Sequence, residues 1–210
     1  MFDWTTAASL ATAAGTLVLA IATFASVRSA GRSARVAERA LQLGLRPVLA
    51  PSRLQDPPQK IMFIDRHFVL AEGGHGVAEV GDDAVYLAMA VRNVGSGLAV
   101  LHGWSFRPQY ALADVPHTPP EQFRRLTRDI FVPSGDIGFW QGAFRDPAEP
   151  QYAEARQAVL DRQPLTIELM YGDHEGGQRV ITRFSLTPIG ESGWLAAVSL
   201  HWNLDRPAPR

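Results

Sequence analysis

Two periodicities divide the chain. From Trp4 to Val27 no charged residue occurs and no polar face is visible on a helix. From Ile61 onward apolar residues recur at alternate positions, the period of a strand. Between these stretches the spacing is helical again. Arg28, Arg32, Arg35 and Arg39 recur at steps of four, three and four, which places them on one narrow stripe. Val27, Ala30, Ala34, Ala37, Leu41 and Leu45 repeat on a different face. Pro47 ends the pattern, because a proline disfavours helical geometry in the residue before it. The order predicts a short N-terminus and transmembrane helix over 1–27 and a basic juxtamembrane helix over 28–46. A linker with a first strand follows over 47–60, then a β domain over 61–205 and a tail over 206–210.

The first segment has the length that crosses a hydrocarbon core at ~1.5 Å per residue. Leu10, Leu17, Val18, Leu19, Ile21 and Phe24 supply the apolar drive, each ~0.3–0.6 kcal/mol at the helix centre. The leader Met1-Phe2-Asp3 lacks the positive charge of a secretory signal, so an uncleaved anchor is expected. Ala7, Ala11 and Gly15 put small residues on one face, the spacing that lets two membrane helices approach closely. With the repeat over 27–45 continuing as a short parallel coiled coil, this spacing admits a homodimer through the transmembrane and juxtamembrane helices. The arginine stripe reads as a membrane-anchoring flank on lipid phosphates. Arginine beside a membrane helix stays on the cytoplasmic side, so the N-terminus is expected outside and the β domain in the cytoplasm, at the inner membrane.

The strand-period region predicts seven or eight short strands. Val85, Leu87, Met89 and Val91 share one face; Leu98, Val100, His102, Trp104 and Phe106 share another. Asn93, Gly95 and Gly97 lie between them as a hairpin turn, with glycine where positive φ is expected. A second hairpin joins 165–171 to 180–186 through Gly172-Asp173-His174-Glu175-Gly176-Gly177. A last strand carries Trp194, Ala196, Val198, Leu200 and Trp202 on one face. Weaker strands are expected over 47–53, 61–71 and 130–140. The prolines of 108–128 predict a loop with a helical turn near 121–127, and 146–163 reads as a helix after its prolines. The strand count is that of a two-sheet sandwich, and the four tryptophans from Trp104 onward are expected to fill its core.

Charge changes the picture only in its distribution. Twenty basic residues face 21 acidic ones, which argues against a nucleic-acid partner. Up to Arg46 five arginines meet only Asp3 and Glu38, so the head is basic and the body acidic. That suits a segment on anionic lipid and a domain in solution. No cysteine is present, which excludes disulfides, thiolate metal sites and thiol catalysis.

This layout resembles a broad group of bacterial single-pass membrane proteins. They carry a short outer N-terminus, a transmembrane helix, a helical spacer ending in Arg-Pro, and an immunoglobulin-like β domain with an Asn-x-Gly-x-Gly turn. Here those elements are Arg46-Pro47 and Asn93-Val94-Gly95-Ser96-Gly97-Leu98-Ala99. The resemblance implies an immunoglobulin-like antiparallel sandwich and a mode of anchoring; it carries over no catalytic residue.

Candidate chemistry is sparse. His67, His75, His102, His117, His174 and His201 show no spacing that sets two ligands on one helical face. Asp173-His174-Glu175 reads as a solvated turn, and Gly73-Gly74-His75-Gly76 as a flexible loop without a phosphate-binding context. No nucleophile elbow occurs. No catalytic residue, metal or cofactor is expected. The leading expectation is a membrane-tethered interaction or scaffolding module with a protein partner beside the lipid bilayer. The alternative is a small-ligand-binding or enzymatic domain using the 108–128 and 146–163 loops. A third reading, an envelope protein, places the β domain outside the cell.

Overall fold

The computed structural model describes residues 4–205 of the chain. It divides into two units, 1–44 and 45–210.

The first unit is one uninterrupted helix, α1 (Trp4–Gly44), so the apolar and arginine-striped stretches share one axis. By length and composition it is able to cross a membrane over Thr12–Glu38, where mean hydropathy reaches 1.5. Its apolar side chains Leu10, Leu17, Val18, Leu19, Ile21 and Phe24 are all exposed. Thr12 and Thr16 turn their hydroxyls back onto the carbonyls of Ala8 and Thr12, which removes two donors from the helix surface.

The second unit is mainly β. Its strands are β1 (Leu49–Pro51), β2 (Gln59–Met62), β3 (Phe68–Ala71), β4 (His75–Val80), β5 (Val85–Asn93), β6 (Ala99–Arg107), β7 (Arg124–Val132), β8 (Ile137–Phe144), β9 (Leu165–Gly172), β10 (Val180–Ile189) and β11 (Gly193–Asn203). Helix α2 (Pro150–Leu160) lies between β8 and β9. Nine strands form one curled antiparallel sheet in the order β1-β5-β4-β11-β10-β9-β6-β7, with β8 on β5. β1 and β4 pair with different halves of β5, so β8, which follows its whole length, takes the opposite edge. The pairs Trp194↔Gly76 and Leu195↔His75 join the β5 side of the sheet to the β10 side, with the Ala196 amide donating to the Gly74 carbonyl beside them.

The expected alternation is met where strands are regular. Val85, Leu87, Met89 and Val91 on β5, and Leu165, Ile167, Leu169 and Tyr171 on β9, face one core with Trp104, Trp140, Phe144 and Trp194. Tyr152, Ala155 and Val159 of α2 close it, while Leu160 is exposed.

Several expectations are corrected. β5 and β6 do not form a hairpin: β6 pairs with β7 and β9, so the chain crosses from one side of the curled sheet to the other after Asn93. A bulge between Leu101 and Gly103 turns β6 over. Ala99 and Leu101 face inward before it and Trp104 and Phe106 after it, while Val100 and His102 stay half-exposed. A second bulge, where Arg183 pairs with Leu200 and Phe184 with Val198, does the same to β11. Trp194 and Ala196 enter the core, whereas Trp202 emerges on the outer face.

The stretch 61–71 is two strands, β2 and β3, reversed at Arg66 with φ 64°. Ile61, Phe63, Val69 and Ala71 of this hairpin cover Tyr86, Ala88 and Ala90, which buries the outer face of β5 in a second core. The glycine-rich 73–76 stretch is not all loop; His75 and Gly76 begin β4. Likewise 124–128 is strand and only Pro120–Gln122 is helical, as a 3-10 turn, while 130–140 is broken at 133–136 into β7 and β8.

Candidate functional site

Of the sequence-predicted anchoring residues, Arg28, Arg32 and Arg35 are exposed on α1, and the side chain of Arg39 lies outside the described residues. So do the side chains of Ala7 and Ala11; at Gly15 an added Cβ meets nothing within 4 Å.

Asn93, Gly95 and Gly97 are brought together, but as a clasp and not as a hairpin turn. Neither glycine has positive φ. Each is required by close approach of the chain entering β1: a Cβ on Gly97 would overlap the Leu45 carbonyl, and one on Gly95 would lie 2.5 Å from the Val48 nitrogen. The Asn93 side chain is fully buried. Its Oδ1 accepts from the amides of Val48 and Gly95, and its Nδ2 donates to the carbonyls of Gly97 and Val132. Arg46 completes the clasp, its carbonyl accepting from Ser96 and its guanidinium donating to Asn203.

A second feature is a gap in the strand pairing of the sheet. β7 and β8 are consecutive strands, yet among the described residues no ladder joins them. β7 uses one edge for β6 and β8 one edge for β5. Their facing edges leave a seam, which holds a cavity of 240 Å³ lined by Trp104, Arg124, Arg125, Thr127, Gln141 and Arg145 among others. Side chains bridge where backbone does not. Arg124 lies over the rings of Phe144 and Trp104, at 4.7 and 5.3 Å, and pairs with Glu149 at the start of α2. Arg128 lies 5.2 Å over Phe139 and donates to Gln141 Oε1 at 3.1 Å and to the Met62 carbonyl.

The seam continues into a second hollow of 480 Å³ between β7 and the β2–β3 hairpin. Here Met62, Ile64 and Phe68 are exposed, with Arg66 and Arg128 at the rim. Phe63, Thr127 and Gln141 line both hollows, so they form one continuous surface. The hairpin is held by Asp65, which accepts from Tyr86 at 2.8 Å and Arg145 at 3.1 Å. Burial pushes the Asp65 carboxyl up, but these donors and the His67 amide outweigh it and hold it below its ordinary value.

The remaining polar cluster does structural work. Glu168 and Arg183 are both fully buried on the outer face of β9 and β10 and pair at 2.7 Å. Glu168 Oε2 also accepts from Thr118 N and Ser105 Oγ; Arg183 donates to the carbonyls of Leu112 and Pro116. Trp202 covers Arg183, 4.8 Å from its ring. The pair thus pins the 108–119 loop onto the sheet. Every oxygen of Glu168 is engaged, so the group offers nothing to a substrate. Asp173 accepts from Glu175 N and Gly177 N as an ordinary turn residue, while His174 and Glu175 point to solvent. Among the described residues no three His, Cys, Asp or Glu side chains gather as a metal site would require.

The seam was not legible in the sequence. Arg124, Arg125 and Arg128 fall in a stretch whose prolines suggest a loop, and Gln141 is a single polar residue in an apolar run. Compared with known protein families, with curated proteins and with solved structures, the chain matches none of them.

Proposed function

We propose that this chain is a membrane-tethered interaction module, not an enzyme, whose β domain holds a protein partner at the seam between β7 and β8. The observation that carries the reading is the pairing of an apolar N-terminal helix with a β domain that leaves two facing strand edges unjoined beside an exposed apolar hairpin. Free edges and exposed apolar surface are the features a soluble domain ordinarily hides.

In this reading the bilayer is crossed by the uncharged part of α1, up to Val27. Arg28, Arg32, Arg35 and Arg39 then face lipid phosphates on the cytoplasmic side, and the N-terminus lies outside. Moving four such charges across the membrane opposes the potential by ~2.3 kcal/mol per charge per 100 mV. The open space at Gly15 supports pairing of two copies through Ala7, Ala11 and Gly15, with a short coiled coil beyond. The finer fold is an elaborated immunoglobulin-like sandwich. Its support is in the neighbours: β5 is flanked by β1 and β8 as strand B is by A and E, and β6 by β7 and β9, with β10 beyond, as C is by C′ and F, with G beyond.

Orientation is tested by C-terminal fusions in a bacterial host. Green fluorescent protein fused after Arg210 should fluoresce in the membrane fraction, and alkaline phosphatase at the same place should stay inactive. An active phosphatase moves the β domain outside the cell and overturns the cytoplasmic placement.

A further inference from the structure

We infer that the seam accepts an extended, acidic and apolar segment of the partner, laid as a strand between the edges of β7 and β8. The inference rests on the docking reading above and names the chemistry of the occupant.

Three observations converge on it. First, each facing edge presents backbone amides and carbonyls without a ladder among the described residues, and an added extended backbone pairs with such a row in register. Second, Gln141 is 7% exposed at the floor of both hollows; its Oε1 is taken by Arg128, and its Nε2 makes no hydrogen bond among the described residues. A side-chain amide so placed suits a peptide carbonyl. Third, the rim is positive. Arg125 is exposed and carries no ion pair among the described residues, and Arg128 bonds only to neutral groups. Arg124 and Arg145 beside them already hold Glu149 and Asp65. Two guanidinium groups at the rim without a carboxylate partner among the described residues suit acidic side chains.

The hollow against Met62, Ile64 and Phe68 sets the other half of the pattern. A strand presents alternate side chains to opposite sides. One set meets the apolar wall of the hairpin, the other the arginine rim. The β7 edge is rich in charge, which guards it against indiscriminate pairing, whereas β8 shows Gly138, Phe139, Gly142 and Ala143 and no charged residue between Ile137 and Phe144. β8 is therefore the receiving edge, and β7 supplies selectivity. A lipid surface would use the apolar hairpin but not the free backbone or the Gln141 amide, which is why a peptide is favoured.

The test uses the full chain in phosphatidylcholine nanodiscs and a randomised library of peptides of about seven residues, the length of an ordinary strand. Selected binders should alternate acidic with β-branched apolar residues and avoid proline. Arg125→Glu, on an exposed side chain and so harmless to folding, should weaken them ~10-fold or more. Binders that tolerate proline, lack acidic residues or ignore Arg125→Glu overturn the inference, as does an empty selection. Because the chain lacks cysteine, Ile64→Cys can carry a single fluorophore. Its quenching by acyl-chain nitroxides in phosphatidylglycerol discs would assign the surface to lipid instead. Partner contact at the seam in native membranes is a separate measurement, so the docking reading survives if only the peptide chemistry fails.

Discussion

Asn93 donates to the carbonyl of Gly97 at 2.6 Å, and this short bond closes a loop onto the strand entering the domain. The same side chain serves Val48, Gly95 and Val132, so four backbone groups depend on it. Removing the partner of a buried polar group costs ~1–3 kcal/mol. Asn93→Ala orphans several at once and should lower stability by at least ~3 kcal/mol, seen as a large fall in melting temperature. A shift of a degree or two would show that the clasp is ornamental.

The glycines of the clasp act through space and not through φ. Gly97→Ala forces a Cβ into the Leu45 carbonyl, backbone against backbone, where little can yield. Gly135, by contrast, has φ 75° with open space around it. Overpacking of this kind costs ~1–3 kcal/mol, and a conformational penalty at an open site is nearer ~1 kcal/mol. Denaturant titration should therefore rank Gly97→Ala as more damaging than Gly135→Ala. The reverse order would restore a conformational role for Gly97.

These two positions also show what a sequence reveals. The Asn-x-Gly-x-Gly pattern marks a tight connection, but what it grips, the Leu45–Val48 backbone, is remote in sequence, so the residues alone point to a hairpin. Alternation is a good guide on β5 and β9, whose strands run without interruption. It misleads on β6 and β11, because a bulge reverses the faces without leaving any residue signature. β4 escapes notice since its inward positions are Gly76 and Ala78, too small to register as an apolar stripe. The β2–β3 reversal is hidden because Arg66 takes positive φ where glycine or asparagine would have announced it. The seam is a property of missing pairing, which no local pattern encodes.

The buried pair makes an acid-stability prediction. Burial pushes Glu168 up, but the Thr118 amide and hydroxyl and the Arg183 guanidinium outweigh it, so its carboxyl lies below the ordinary 4.5. A depressed carboxylate contributes stability that is fully present above its unfolded value and is lost as pH falls through its folded one. This contribution should hold down to the ordinary glutamate range and decline below it. Glu168→Gln leaves Arg183 buried without a counter-charge and should cost ~3–5 kcal/mol at neutral pH. Its melting temperature should also depend less on acid. Equal stability of the two proteins at pH 7 would refute the pinning role of the pair.

His102 acts in the same direction as Glu168, but at higher pH. Burial first, then the charge of Arg179, lowers it from 6.5, against a smaller opposing pull from Asp173 and Asp129. The folded chain keeps this ring neutral while the unfolded chain protonates it, so stability should fall as pH drops below about 6.5. His102→Gln removes the titration. Melting curves between about pH 7 and 5 should then be flatter for the variant than for the parent. A steeper decline in the variant would contradict the assigned direction.

Docking of a partner at the seam between β7 and β8, as proposed, is open to a direct test. The direct measurement places a photoreactive benzoylphenylalanine at Thr127, at the exposed Ile64 of the β2–β3 hairpin, or at the exposed Leu112 on the loop over β9 and β10, in the full chain in native membranes. Illumination should give one common adduct from positions 64 and 127 and none of that mass from 112. Adducts of equal yield from all three positions, or none from the two seam positions, would contradict the claim.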